Sequence, residues 1–307
     1  MKVVHASSIG YAAQSILHAN EDLLGEVHSS FRRAFNIHTY SGQIVSFSTA
    51  GTPNFPTNVV TNLTDQPGFV SLGISRGLPV CQAGATLLVG SLQIQLQLAT
   101  EYYSLIKGNV PRTEGDSIDQ IIHHAALAAV ELTDGSGLAP LLPHIAWLCS
   151  SCAKTPIFTD VLGKRVWDGL MNMRSSTFSD SFAAAAKPLI GLGPGLTPSG
   201  DDVLAGLIAA FLLGIKSRTG VTRKMDSAFG PLLEYAATGT NRLSREMLDF
   251  AARGELTDIA EGLICSLLTA NARDTTAQVR ALLSYGATSG VDQLVGILFG
   301  LRLAFDV

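Results

Sequence analysis

The chain has 307 residues, of which 47% are hydrophobic and 15% charged, and its formal net charge is −4. This composition excludes a disordered chain, because disorder requires many charges and few apolar residues. It also argues against a nucleic-acid binder, which normally presents a basic surface. Because few charges are available to cover the surface, two interpretations stay open: part of the chain contacts another protein, or the chain is a well-buried monomer.

The cysteines and the apolar runs point to a protein without disulfides or membrane spans. Four cysteines are too few for a disulfide framework in a chain of this length. Cys149 and Cys152 have the C-x-x-C spacing, but no second pair follows, so we interpret them as free thiols in a helical segment. No secretory signal opens the sequence, and the longest apolar run, 203–215, is too short to span a bilayer. We therefore expect a cytoplasmic protein.

The first third of the chain has a hydrophobic period of about two, which is typical of β-strands. An opening helix is expected over 8–19. The clearest strand is 91–98, where Leu92, Ile94, Leu96 and Leu98 share one face and glutamines share the other. Further strands are expected at 35–40 and 43–49, which form a hairpin around a Ser-Gly turn, and at 59–63 and 69–74. Several short strands at this spacing predict a small barrel or sandwich.

The remainder of the chain has a helical period. A polar stretch over 107–117 has the composition of a linker, and the hydrophobic period after it is near 3.6. Helices are expected at 118–132, 138–152, 158–173, 182–190, 203–215, 227–237, 244–252, 258–270, 276–285 and 292–305. We therefore predict an α+β fold, with a small β-rich, barrel-like domain at 1–112 and an all-helical domain at 113–307.

Two segments of the helical part share the pattern Ser-Gly-x-Asp-x-Leu-x-Gly. The first copy comprises Ser199, Gly200, Asp202, Leu204 and Gly206, and the second comprises Ser289, Gly290, Asp292, Leu294 and Gly296. A structural interpretation is a capping box, in which each serine caps a helix and the aspartate reaches back to it. The last glycine then lies two turns further along and allows two helices to cross closely. This interpretation requires no ligand.

Three features exceed capping and indicate a site for a small anion or substrate. The loop before the first copy is rich in glycine, which permits positive φ angles and convergent N–H groups. A threonine precedes each serine pattern beside a helix N-terminus, where the helix dipole favours an anion. The candidate binding residues are Gly193, Gly195, Thr197, Ser199, Gly200, Asp202, Arg242, Thr288, Ser289, Gly290 and Asp292. The prediction requires that both copies face one pocket.

Arg242 is a candidate because its guanidinium group can pair with a carboxylate or a phosphate. It belongs to a polar cluster over 238–244 that precedes another predicted helix. The alternative interpretation of this cluster is a solvated loop between two helices.

The third feature is Asp201, which the capping box does not use and which is the candidate catalytic residue. A carboxylate beside an anion site repels the anion unless a cation or a substrate amino group lies between them. Asp201 would therefore either orient a substrate amide or, with Asp202, hold a Mg²⁺ ion that bridges to a phosphate. The spacing from Gly195 to Gly200 matches a P-loop, but Asp201 stands where that loop has its lysine, which excludes an ATP-binding P-loop.

The run G-L-G-x-G-L-T-P-S-G-D-D-x-L-A-G over 191–206 resembles a bacterial family, AllH. Segments 240–244 and 288–296 are also similar to it, so the resemblance covers the C-terminal part of the chain. Its named member is a subunit of oxamate carbamoyltransferase from anaerobic allantoin breakdown, a branch of purine catabolism. The resemblance implies a complex that interconverts oxalurate plus phosphate with oxamate plus carbamoyl phosphate. It also implies partner subunits and small anionic ligands.

One departure leaves alternatives open. Ordinary carbamoyltransferases have a Ser-x-Arg-Thr phosphate loop, and Ser217–Thr219 is one residue too short for it. Carbamoyl transfer would therefore use a different scaffold or a partner subunit. The chain could instead be a non-catalytic scaffold or regulatory subunit. A third hypothesis is a Mg²⁺-dependent hydrolase, which requires Asp201, Asp202 and Asp292 within a few ångströms of each other. No nucleic-acid or membrane partner is expected.

Overall fold

A computed structural model describes residues 1–18, 22–105, 110–113, 118–148, 158, 160–176, 181–220 and 226–306. The chain forms two compact units, Met1–Ser104 and Leu105–Val307. The first is a β-barrel and the second is helical, which confirms the predicted α+β class. Most of the predicted linker, 107–109 and 114–117, lies outside the described residues, as do Cys149 and Cys152.

The described residues of the first unit form nine strands and two short helices. In chain order these are β1 Lys2–Gly10, α1 Tyr11–His18, β2 Asp22–Ser30, β3 Ala34–Thr39, β4 Ile44–Ser48, β5 Asn58–Thr61, α2 Gly68–Ser71, β6 Pro79–Ala83, β7 Thr86–Val89, β8 Leu92–Gln95 and β9 Thr100–Tyr102. The strands are hydrogen-bonded in the order β5-β4-β3-β2-β6-β7-β8-β1, and β1 also pairs with β5. This last pairing closes an eight-stranded barrel and leaves no free edge between its first and last strands.

The barrel core confirms part of the predicted strand pattern. The β3–β4 hairpin turns at Gly42, whose φ is +91°, as the Ser-Gly signal indicates. Leu92 and Ile94 of β8 point into the core, but the strand ends at Gln95 and Leu98 is 84% exposed. The predicted strand is therefore too long, and Leu98 is wrong as a member of its apolar face, whereas Leu96 still packs against the barrel core.

The strand predicted at 69–74 is wrong, because this segment begins with the short helix α2. Phe69 is nevertheless fully buried and meets the Phe35 ring edge-on, with the two ring centroids 4.9 Å apart. The apolar residues of this segment enter the core from a helical turn, a case in which periodicity over a short run cannot separate the two structures. The opening helix is confirmed but begins at Tyr11, after a first strand that was not predicted.

The second unit is built from helices at every position where the pattern predicts one. These are α3 Ile118–Leu132, α4 Leu142–Leu148, α5 Val161–Ser175, α6 Phe182–Ala186, α7 Ser199–Thr219, α8 Asp226–Gly239, α9 Arg242–Ala251, α10 Asp258–Leu268, α11 Ala272–Leu283 and α12 Ser289–Phe305. Short 3₁₀ helices, Ala139–Leu141 and Lys187–Leu189, adjoin α4 and α6. Among the described residues, no helix combines the length and apolarity required to cross a bilayer.

The two longest helices, α7 and α12, form the centre of this unit and are buried on all sides. They cross at glycines that leave no room for a side chain. A Cβ at Gly206 would lie 2.3 Å from the Gln293 carbonyl oxygen, and one at Gly296 would lie 2.0 Å from the Val203 carbonyl oxygen. This confirms the close crossing predicted from the last glycine of each motif, and it fixes the relative position of the two helix N-termini.

Candidate functional site

The N-termini of α7 and α12 bring the two copies of the motif into direct contact. The Thr197 and Ser289 hydroxyl oxygens lie 2.9 Å apart, although the residues are 92 positions apart in the chain. The hydroxyl groups of Ser289 and Thr197 also hydrogen-bond to Asp202, and those of Ser199 and Thr288 hydrogen-bond to Asp292. Each aspartate thus binds the serine of the other copy, and the copies form one cluster.

The two copies share the same backbone construction. The Gly200 N–H donates to the Leu192 carbonyl oxygen at 2.8 Å, and the Gly290 N–H donates to the Tyr285 carbonyl oxygen at 3.0 Å. A Cβ at Gly200 would lie 2.0 Å from the carbonyl oxygen of Leu189, and one at Gly290 would lie 1.9 Å from that of Leu282. In both copies the glycine therefore lets a helix begin directly against the end of the preceding helix.

The capping-box interpretation is wrong. The N-cap residues are Pro198 and Thr288, and neither makes a side-chain cap hydrogen bond. Ser199 and Ser289 are instead the first helical residues of α7 and α12. Because their hydroxyls are directed to the aspartate of the opposite copy, the Ser-x-x-Asp spacing serves a contact between two helices and not a local cap.

Asp202 and Asp292 are buried carboxyl groups without a cation. They are 2% and 0% exposed, and no salt bridge in the described part of the chain involves either. Burial raises the pKa of Asp202 well above its usual value, the nearby Asp292 raises it further, and hydrogen bonds from Ser289 and Thr197 oppose the rise. Burial likewise raises the pKa of Asp292. Both groups are therefore shifted toward the protonated, neutral form.

Each of these carboxyl groups keeps one oxygen without a hydrogen bond. Oδ1 of Asp292 accepts from the Leu138 N–H at 2.8 Å. Oδ2 of Asp202 and Oδ2 of Asp292 are buried and accept no hydrogen bond from any described residue. A proton on such an oxygen removes the cost of burying an uncompensated charge, which agrees with the raised pKa values.

Asp201, the predicted catalytic residue, ties three segments together. One carboxylate oxygen accepts from the Gly191 N–H at 2.8 Å, and the other accepts from the Thr240 hydroxyl. Ser244 of α9 donates a further hydrogen bond, and these donors oppose the rise in the pKa of Asp201 that burial causes. Both oxygens of this fully buried group are thus engaged by the protein.

The polar cluster at 238–244 adjoins the glycine-rich loop. Asn241 caps α9 by accepting from the Ser244 N–H, and its side-chain N–H₂ donates to the Leu196 carbonyl oxygen at 2.8 Å. Arg242, the first residue of α9, follows directly and is exposed. The cluster therefore contacts the loop through Asn241, and it connects to α7 through Asp201.

The loop before α7 has the conformation that its glycines predict. Gly193 and Gly195 have φ angles of +112° and +103°, values that residues with a Cβ rarely adopt. Pro194 and Gly195 are exposed, whereas Ser199 and Gly200 are buried. The loop is thus the part of the motif that solvent reaches most easily, and it leads to the buried carboxyl groups.

The predicted Mg²⁺ site at Asp201 and Asp202 stays a prediction. Among the described residues, no group of three or more histidine, cysteine, aspartate or glutamate side chains is placed to hold a metal ion. The carboxylate oxygens of Asp201 are already bound to protein donors. The hydrolase hypothesis therefore finds no three-ligand metal site among the described residues, although the charges of Asp201 and Asp292 both act on Asp202.

Sequence reasoning did not assign Leu138, Thr240 or Tyr285 to the cluster. Leu138 contributes a backbone N–H, for which no side-chain signal exists. Thr240 lay within the polar cluster already noted, and its place one residue before a cap was the available clue. Burial, with the charges of Asp202 and Asp258 adding to it, raises the pKa of Tyr285 to about 12, so its phenol stays protonated beside the carboxyl groups.

Two family models match the chain, one in each unit. A family model described as "Oxamate carbamoyltransferase subunit AllH" matches residues 189–301, which include both copies of the motif. A second model, "AllH family N-terminal domain", matches residues 5–101, the extent of the barrel. The chain belongs to the AllH family. The family takes its name from a carbamoyltransferase subunit, and the two matches together cover about two thirds of the chain. No solved structure matches this chain.

Proposed function

We propose that this chain is a subunit of an oxamate carbamoyltransferase-type enzyme and that its paired motifs bind the small anion. The reaction converts oxalurate and phosphate to oxamate and carbamoyl phosphate. A phosphate oxygen attacks the carbamoyl carbon, the bond from that carbon to the oxamate nitrogen breaks, and the leaving nitrogen takes a proton. The enzyme would act in allantoin breakdown, in the cytoplasm, with other subunits as its partners.

The observation that carries the proposal is the 2.9 Å contact between the Thr197 and Ser289 hydroxyls. It joins two helix N-termini and the glycine-rich loop in one place. The dipole of a helix N-terminus favours an anion, and here two such termini adjoin, although the Gly200 and Gly290 N–H groups already donate to the backbone. Family membership supplies an enzyme class whose ligands are small anions, in agreement with this chemistry.

The charge of the cluster also supports anion binding. An ionised carboxylate beside the site would repel phosphate or oxamate. Burial raises the pKa values of Asp202 and Asp292 and so shifts both groups toward the neutral acid, which can donate a hydrogen bond to an anion. The named hydroxyl and carboxyl groups of the cluster thus offer donors for an anion, and neither aspartate forms a salt bridge with a described lysine or arginine. Arg242 would contribute its positive charge from the exposed start of α9.

We assign the other residues by their contacts. Thr197, Ser289 and the N–H groups of the Gly193–Gly195 loop would bind the phosphate, and convergent N–H groups would stabilise the tetrahedral intermediate. Asp201 would act as a positioning residue, since it holds this loop to Thr240 and Ser244.

The test is a phosphate-dependent oxalurate cleavage assay on the chain co-expressed with its partner subunits. We expect cleavage only with phosphate, and a loss of about tenfold or more in Ser289→Ala, because one hydrogen-bond donor is removed. Ser284→Ala, an exposed serine at the end of α11, is the matched control and should keep the full rate.

Two results would overturn the proposal in different ways. Absence of phosphate-dependent cleavage in the assembled complex would refute the reaction. Cleavage that Ser289→Ala leaves unchanged would refute the anion site and support the alternative, a scaffold subunit whose motifs only pack helices.

A further inference from the structure

The barrel unit contains a cavity of about 440 Å³ that is separate from the paired motifs. β8 pairs with β1 over Leu92–Gln95, and β9 pairs with β1 again from Thr100. The chain between them, 96–99, forms one side of the cavity. Helix α1 and the β6–β7 turn form the other sides. The mouth of a β-barrel is a common place for a small-molecule site.

The described part of the cavity wall combines apolar residues with glutamine and histidine side chains. Ile9 and Leu17 are two of the apolar residues. Among the described residues, the polar side chains that line the cavity are Gln14, His18, Gln82 and Gln97, and none of the described lining residues is an aspartate, glutamate, lysine or arginine. Three carboxamides thus line one space.

These polar groups have hydrogen-bonding capacity that the protein does not use. In the part of the chain that the structure describes, the side chains of Gln14, Gln97 and His18 make no hydrogen bond. Gln82 donates from its side-chain nitrogen to the Gly84 carbonyl oxygen at 3.0 Å, which fixes its carboxamide at the wall. Gln14 and Gln97 are therefore the groups available to a ligand, with His18 as a further donor or acceptor.

We propose that this cavity binds a small uncharged molecule bearing a carboxamide or ureido group. A glutamine carboxamide presents an acceptor and a donor in one plane, so it pairs with a second amide through two hydrogen bonds. None of the described lining residues carries a carboxylate, an ammonium or a guanidinium group, so a charged ligand would gain no ion pair with such a group, and transfer of an unpaired charge from water is unfavourable. The cavity volume lies in the range of ordinary ligand sites. The proposal is independent of the anion site, which lies in the other unit.

The test is saturation-transfer NMR and calorimetric titration of the full chain with biuret, a neutral ureido probe. Malonate, a dianion of similar size, is the comparison. We expect biuret to bind and malonate not to bind. Gln14→Leu and Gln97→Leu should each weaken biuret binding by about tenfold, since each removes an amide pair. Gln93→Leu, on the outward face of β8, is the matched control and should bind biuret as the wild type does.

A second variant, Ala99→Phe, places a large side chain in the cavity and should abolish binding without loss of the cooperative thermal transition. The proposal is refuted if the wild type does not bind biuret at about 10 mM, a weak-affinity limit for such a probe. It is equally refuted if malonate binds as well as biuret, or if binding persists in folded Ala99→Phe.

Discussion

The two copies of the Ser-Gly-x-Asp motif share one backbone construction, but the first copy has loop residues and a carboxylate that the second copy does not have. In both, a glycine, Gly200 or Gly290, packs on the carbonyl oxygen that ends the preceding helix. The first copy has three additional loop residues, Pro194–Leu196, and a second carboxylate, Asp201. The second copy has Val291 at the equivalent position and a shorter turn. The shared features therefore build the helix pair, whereas the additions of the first copy give it an exposed loop and a connection to α9.

The construction that the two copies share also includes one glycine in each turn. Gly193 and Gly286 both have positive φ angles, and a Cβ on either would lie 3.3 Å or less from the Cβ of its own motif serine. The two copies are thus also alike at Gly193 and Gly286, which lie against the serine of their own copy. We expect changes to shared residues to affect folding equally in the two copies, and changes to the additions to affect only the first.

The largest expected effect is on stability, in Gly200→Ala and Gly290→Ala. Each Cβ would lie about 2 Å from a backbone carbonyl oxygen. Such overpacking should lower the free energy of unfolding by about 3 kcal/mol in each variant, as measured by urea denaturation. Gly230→Ala in α8 is the control, since its Cβ would meet no described atom within 4 Å apart from its chain neighbours and its own helix backbone. Because Pro231 follows it and disfavours a helical residue with a Cβ, we expect a loss smaller than in either motif variant rather than a gain. Tolerance of alanine in one copy alone would refute the shared construction.

A smaller decrease in the free energy of unfolding is expected for Asp201→Ala, because Asp201 belongs to the first copy only. It leaves the Gly191 N–H and the Thr240 and Ser244 hydroxyls without their acceptor. We expect a loss of about 2 kcal/mol. Hydrogen exchange should accelerate over 191–197 and 240–244 while the start of α12 stays protected. Val291→Ala, the equivalent position of the second copy, should leave exchange in the 191–197 loop unchanged. Equal acceleration in both copies would contradict a role confined to the first.

Sequence periodicity predicted the helices well because long amphipathic or apolar runs repeat their signal over several turns. It failed around Phe69, because an apolar run this short is compatible with a strand as well as with the four-residue helix that the structure has. It missed β1 because strand pairing between Ala6 and Thr61 joins distant parts of the chain. For the candidate site, the motif singled out Ser199 and Ser289, which both hydrogen-bond within the cluster. It could not show that their hydroxyls bind the opposite copy, since that contact depends on how α7 and α12 cross.

The third prediction concerns the pH dependence of stability, and its expected effect is smaller than the two above. The raised pKa of Asp202 means that the folded state binds its proton more tightly than the unfolded state does. Above about pH 4 the unfolded state releases this proton while the folded state keeps it. The free energy of unfolding therefore falls as pH rises from about 4 to the raised folded-state pKa. Asp202→Asn should raise the melting temperature at neutral pH by about 2 °C or more. This gain should fade below pH 4.

Asp134 is the control for the expected increase in melting temperature. At Asp134, in an exposed loop, hydrogen bonds from Ser136 lower the pKa, the opposite direction. Asp134→Asn should therefore give no increase in melting temperature at neutral pH. If Asp202→Asn instead destabilised the protein at neutral pH, the carboxyl group would be ionised in the folded state and the neutral cluster would be wrong.

The central claim is that both motif copies form one site, and a double-mutant cycle in the assembled enzyme tests it most directly. The quantity to measure is the KM for phosphate in the wild type, Thr197→Val, Ser289→Ala and the double variant. We predict that each single variant raises this KM about tenfold and that the double variant raises it no further than the larger single effect, because the two hydroxyls act together. Independent effects that multiply in the double variant, or an unchanged KM in all three, would contradict the claim.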